Sequence, residues 1–127
     1  MASEFIIDGT RFTNLQEFYD HVESVLIPGL DWGRHLDAFS DILFWPVPEA
    51  EMPYTLIWRH ADLSREQLGH AEIVRWIEDA LQHCHPSSIP ELEERLVSAK
   101  RGEGQTLFDL LVEAIGWNIE YVRLVLA

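Results

Sequence analysis

The chain holds a single cysteine, Cys84, so no internal disulfide can staple it. That suits a reducing compartment. Basic residues are scarce: 9 Lys and Arg stand against 22 Asp and Glu, for a formal net charge of −13. A field of that sign repels phosphate, so nucleic acid and anionic membranes are not expected as partners and basic proteins are. The opening "MASEFIIDG" has no basic segment followed by an apolar run, so no signal peptide is expected. No apolar stretch is long enough to span a bilayer, and a soluble cytoplasmic protein is the expectation. What is present is the material for a core. Of 127 residues, 47% are hydrophobic and five are tryptophan, which fits one compact domain rather than a disordered chain.

Catalytic signatures are missing too. There is no Gly-x-Ser-x-Gly, no phosphate-cradling glycine loop and no His-Glu-x-x-His, so no cofactor or metal is expected. Two short stretches still merit weighing. In "HCHP", His83 and His85 stand two apart and diverge on a helix, while Cys84 falls on an apolar stripe. A metal there lacks a second ligand pair, and a frayed helix end, where histidines suit the dipole, explains the cluster as well. In "WRH", Arg59 and His60 follow a strand at the end where open parallel sheets bind ligands. Arg59 could grip an anion and His60 move a proton, but the sequence places no nucleophile or second base beside them.

Hydrophobic periodicity sets the order of elements. "EFIID" reads as a short strand stopped by Gly9. A helix follows, opened by a Thr13–Gln16 capping pattern, with Leu15, Phe18, Tyr19, Val22 and Leu26 on one stripe, and it ends before Pro28-Gly29. A second helix runs from about Arg34 to Leu43 and is ended by Trp45-Pro46. "YTLIWR" reads as a buried strand, and "DLSREQLG" as a helical turn or two closed by Gly69. Then come an amphipathic helix with Ile73, Ile77, Ala80 and Leu81, another opened by Ser88 and Glu91, and a third opened by Thr106 and Asp109 and stopped at Gly116. "NIEYVRLVLA" is the last strand. The order β-α-α-β-α-α-α-α-β separates every pair of strands by helices, which predicts a small parallel sheet covered by helices in an α/β fold.

The second helix carries the sharpest feature. Leu36, Phe39 and Leu43 share one side, and Asp37 and Asp41 lie roughly opposite, one turn apart. Paired acids can serve as a general acid and base, but an exposed face offers no burial to tune them. A solvated helix face is the plain alternative. Like charges at this spacing cost a helix a few tenths of a kcal/mol, which a cationic partner would offset on binding.

The stretch "DWGRHLDAFSDIL", residues 31–43, resembles the signature of the barstar-like ribonuclease inhibitors. In that pattern an aromatic-glycine pair precedes x-Asn-Leu-Asp-Ala-Leu-x-Asp-x-Leu. Trp32-Gly33, Leu36-Asp37-Ala38, Asp41 and Leu43 match it. "FIIDGTRFTNLQEFYDHV", "PYTLIWR" and "GWNIEYVRLVLA" are similar to the family's first strand and helix, second strand and last strand. The resemblance covers residues 4–69 and about 105–127. It implies a three-stranded parallel sheet packed by helices, in one domain over 1–127; residues at about 70–104 have no counterpart in the pattern and are expected to form a helical insert. It also implies a cytoplasmic inhibitor, not an enzyme, whose partner is a basic ribonuclease or nuclease toxin made by the same cell. By position, Asp41 matches the central acid of the inhibitory helix, Asp37 the acid one turn before, Trp32 the loop aromatic and Glu51 a peripheral acid. Arg34 stands at a variable position, where it can pair with Asp37 or oppose a basic cleft, and His35 replaces the asparagine. The insert fits structural cover, a separate partner site or a dimer interface.

Overall fold

The computed structural model describes residues 4–29, 36–43, 53–117 and 120–127. Three strands, β1 (Glu4–Asp8), β2 (Tyr54–Arg59) and β3 (Val122–Leu126), form one parallel sheet in the order β1-β2-β3. Between β1 and β2 lie α1 (Leu15–Leu26) and α2 (Leu36–Ile42). Between β2 and β3 lie α3 (Ala61–Gln67), α4 (His70–His83), α5 (Ile89–Lys100) and α6 (Leu107–Gly116). This is the α/β fold and the element order expected, and the parallel pairing follows from helical crossovers between successive strands. The last strand starts at Val122, and the expected start at Asn118 and Ile119 lies outside the described residues.

The core sits on one side of the sheet. Tyr54, Leu56 and Trp58 of β2 are buried beneath the helices, as is Ile7 of β1, which pairs with Trp58. Trp58 is the centre of an aromatic cluster. It stacks on Phe18 of α1 with centroids 5.3 Å apart and meets Phe108 of α6 edge-on at 5.0 Å. Phe39 of α2 reaches the same cluster through Phe18, at 5.4 Å. The indole N–H of Trp58 donates to Ser64 Oγ at 2.9 Å, which satisfies a donor that burial would otherwise strand. Thr55, Ile57 and Arg59 point the other way and are half-buried or exposed. The expected buried strand is thus buried on one face: "YTLIWR" alternates, and the described helices lie over Tyr54, Leu56 and Trp58.

Gly9 ends β1 for a tertiary reason. It begins a 3-10 turn over Gly9–Arg11, and a Cβ there would sit 2.6 Å from the His60 carbonyl oxygen and 2.9 Å from that of Arg59. Those are backbone atoms with no room to yield, so only glycine lets this turn lie against the end of β2. Beside it, the Asp8 N–H donates to His21 Nε2 at 2.9 Å, which makes that nitrogen an acceptor and leaves the proton on Nδ1. Burial holds the His21 imidazole below the usual histidine value, against the nearby Asp8 carboxylate and with help from Arg11.

Helix capping differs from expectation in two of three cases. Asn14, not Thr13, caps α1, accepting from Glu17 N–H at 2.9 Å. Glu17 in turn accepts from both the N–H and the hydroxyl of Thr13, so that hydroxyl is committed elsewhere. Ser88 is the N-cap residue of α5 as expected, but it ends the Pro86–Ser88 3-10 turn with a helical backbone and its side chain makes no cap hydrogen bond. Thr106 and Asp109 form the full reciprocal capping box of α6. Gly69 has an extended φ of −85° and serves as the N-cap of α4 rather than a left-handed stop for α3. The α4–α5 hairpin buries Ile73 and Ile77 and takes the Leu15 N–H on Glu72 Oε2 at 3.3 Å, so it packs over α1 and α6.

Candidate partner-binding surface

Helix α2 is short but well anchored. Phe39, Ile42 and Leu43 are buried, and the Tyr54 hydroxyl donates to the Leu43 carbonyl, tying the end of the helix to the first residue of β2. That burial pushes the Tyr54 phenol above its ordinary pKa. With three apolar side chains fixed inward, the 3.6-residue repeat turns Asp41 outward, and Asp41 is exposed. Asp41 has no ion-pair partner among the described residues. A carboxylate held this way is presented to solvent on a backbone that the core immobilises.

The backbone of α2 includes Asp37, one turn before Asp41, while the Asp37 side chain lies outside the described residues. Trp32, Arg34, His35 and Glu51 also lie outside them, as do Gly33, the stretch from Trp45 to Pro48 and the expected helix start at Arg34. The loop leading toward them leaves α1 through Ile27, whose N–H donates to the Glu23 carbonyl, and Gly29, whose φ of +81° suits glycine. Of the acids and the aromatic assigned from the sequence, the structure therefore places one side chain, that of Asp41.

The carboxyl end of β2 holds a hollow of about 500 Å³ lined by Arg59, His60, Asp62, Leu63 and Ala127. His60 has φ 56° and is the described non-glycine residue with a left-handed backbone. The strain follows from closure: Ala61 N–H donates to the Ala127 carbonyl, and Ala127 N–H donates to the Trp58 carbonyl at 2.8 Å. The hollow can admit an anion beside Arg59. The acidic side chain in its lining, Asp62, is 2.9 Å from Arg65 and so engaged, and no nucleophilic side chain is among its lining residues. That arrangement offers charge but no second proton-transfer partner.

The histidines of "HCHP" diverge. His83 Nε2 lies 3.9 Å from Asp79 Oδ1 one turn back, and His85 Nδ1 pairs forward with Ser87. Cys84 is half-buried, its sulfur 3.8 Å from the Leu81 carbonyl, rather than a fully buried core thiol, because it caps the end of α4. Among the described residues no group of three His, Cys, Asp or Glu side chains converges to hold a metal. No described helix is long and apolar enough to cross a membrane.

The model of the family described as barstar (barnase inhibitor) matches residues 2–98. The match takes in β1, α1, α2, β2, α3, α4 and most of α5, well over half of the chain. No curated protein matches it. The chain belongs to the barstar family.

Proposed function

We propose that this barstar-family chain inhibits a basic ribonuclease or related nuclease toxin by seating the acidic side of α2, and the loop before it, in the enzyme's cationic cleft. The family is one of inhibitors, not enzymes, and its partners are barnase-type ribonucleases. The observation that carries the reading is Asp41: an exposed carboxylate without an ion-pair partner among the described residues, on a helix whose other side is locked into the core. A nuclease cleft is cationic because its substrate is a polyanion, so an acid on a rigid helix meets it with little ordering cost. The net charge of −13 adds long-range steering. In this proposal Trp32, Arg34, Asp37 and Glu51 belong to the same contact surface. The helical hairpin of residues 70–104 serves as structural cover within a single domain. A cytoplasmic setting fits the lone cysteine, and immunity of the producing cell to its own toxin fits the mode of action.

The test is a binding and inhibition titration against a panel of basic ribonucleases, including any encoded beside this chain. Asp41→Ala is expected to weaken the complex at least about tenfold more than the exposed change Glu94→Ala. Equal and small effects, or no inhibition across the panel, would leave a non-inhibitory interaction module on the same fold as the better reading.

A further inference from the structure

A purely parallel sheet is almost always covered on both faces, because its crossovers put helices on each. Here the helices meet the sheet through Tyr54, Leu56 and Trp58, and among the described residues no helix covers the opposite face. Register sorts that open face into rows. The middle row, Ile6, Ile57 and Val125, is apolar, with Ile6 44% and Val125 38% exposed. The row on one side is Glu4, Thr55 and Arg123, and the row on the other holds Asp8 and Arg59. Opposite edges of the face thus carry opposite charges, with acids on β1 and an arginine on β3.

We propose that this face packs on the same face of a second copy of the chain. A two-fold axis parallel to the strands, passing over β2, lays β1 of one copy over β3 of the other. Glu4 then meets Arg123 of the second copy, twice by symmetry. Ile6 meets Val125 of the second copy, and Ile57 meets its own counterpart on the axis. The two Arg59 side chains face each other on the axis, one like-charge contact set against the two Glu4–Arg123 pairs, and Asp8 stays with Arg11 of its own copy, 3.9 Å away. The other face-to-face two-fold, across the strands, sets Glu4 over Asp8 of the second copy, acid against acid. Charge therefore selects the aligned packing, which is also a common arrangement of stacked sheets. Three short strands make a small contact, so the dimer is weak and reversible, with a dissociation constant on the order of 100 μM. Because α2 packs on the helical side, the pairing leaves Asp41 uncovered, and the inference stands independently of the proposed inhibition.

Sedimentation equilibrium of the full chain from about 10 μM to about 1 mM, at physiological salt, tests it. A monomer–dimer equilibrium is expected, with Ile57→Lys lowering the association constant at least about tenfold while the circular dichroism is unchanged. Glu4→Arg is expected to weaken association even though it makes the chain two charges less negative, which general repulsion alone would turn into strengthening. The double change Glu4→Arg with Arg123→Glu should restore most of the affinity. If Ile57→Lys fails to fold, this charge cycle decides alone. A chain that stays monomeric to about 1 mM overturns the proposal and gives the face to a different protein or to solvent. Association that survives Ile57→Lys, or that Glu4→Arg strengthens, overturns it as well.

Discussion

On one side of β2, Tyr54, Leu56 and Trp58 disappear under helices; on the other, Thr55, Ile57 and Arg59 remain at the surface. Both sets come from the same six residues, and both include a large apolar side chain. The helical side is a fitted core: Trp58 touches aromatic rings from Phe12, Phe18 and Phe108, and its N–H has a partner in Ser64. The open side is a flat patch in which Ile57 has only Ile6 and Val125 beside it in its row. Hydrophobicity alone does not tell a core strand from a one-sided one. The difference lies in which face receives side chains from elsewhere in the chain.

The largest expected contrast is in stability. Trp58→Ala should cost about 3–5 kcal/mol, from lost burial and the cavity left behind. Ile57→Ala should cost under about 1 kcal/mol, because its side chain is only partly withdrawn from water. Urea denaturation measures both, and similar losses would erase the distinction between the faces. Next comes Gly9→Ala, expected to cost about 1–3 kcal/mol because the new methyl meets two backbone carbonyls where β1 turns onto the end of β2. Denaturation midpoints at unchanged m-value would record that loss.

In binding, the two sides should separate as well. Asp41→Ala, on the helical side, is expected to weaken a nuclease complex at least about tenfold, and Ile57→Lys, on the open side, to leave it unchanged. Isothermal titration with the purified nuclease would show this, and a nuclease that responds to Ile57→Lys instead would move the contact to the sheet face.

The smallest effect belongs to His21, at the rim of the helical side. Its folded pKa lies below the ordinary histidine value of 6.5, so the unfolded chain takes up the proton first. The His21 contribution to stability is therefore fully present above pH 6.5 and declines as pH falls from there toward its lowered folded value. His21→Gln, which keeps an acceptor for the Asp8 N–H, should flatten the stability curve just below about pH 6.5. A slope unchanged by that variant would remove His21 as its source.

Much of the architecture was legible beforehand. The order of nine elements, the parallel sheet and the Thr106–Asp109 box all follow from short-range spacing, and each was found where expected. Family membership was legible too, from "DWGRHLDAFSDIL" and the strands around it. The cap of α1 was misread by one residue, because Thr13–Gln16 and Asn14–Glu17 have the same spacing, and only the Glu17 bonds to Thr13 distinguish them. Ser88 sits at the start of α5 as its spacing implies, but the turn begun at Pro86 leaves its side chain without a cap bond. At the candidate surface, the outward aim of Asp41 was readable from the 3.6-residue repeat, since Phe39 and Leu43 fix the inward side.

By itself, then, the sequence determined what each residue does within its own element: which side of a helix is apolar, where a chain must turn, how many crossovers separate the strands. Those are consequences of backbone geometry over a few residues. Tertiary structure alone decided what each face meets. It put the described helices on the Trp58 side of the sheet, pressed Gly9 against the His60 carbonyl, turned His21 into an acceptor and joined Trp58 to Ser64. Such contacts depend on segments distant in the chain arriving at one place, and no local spacing encodes that arrival.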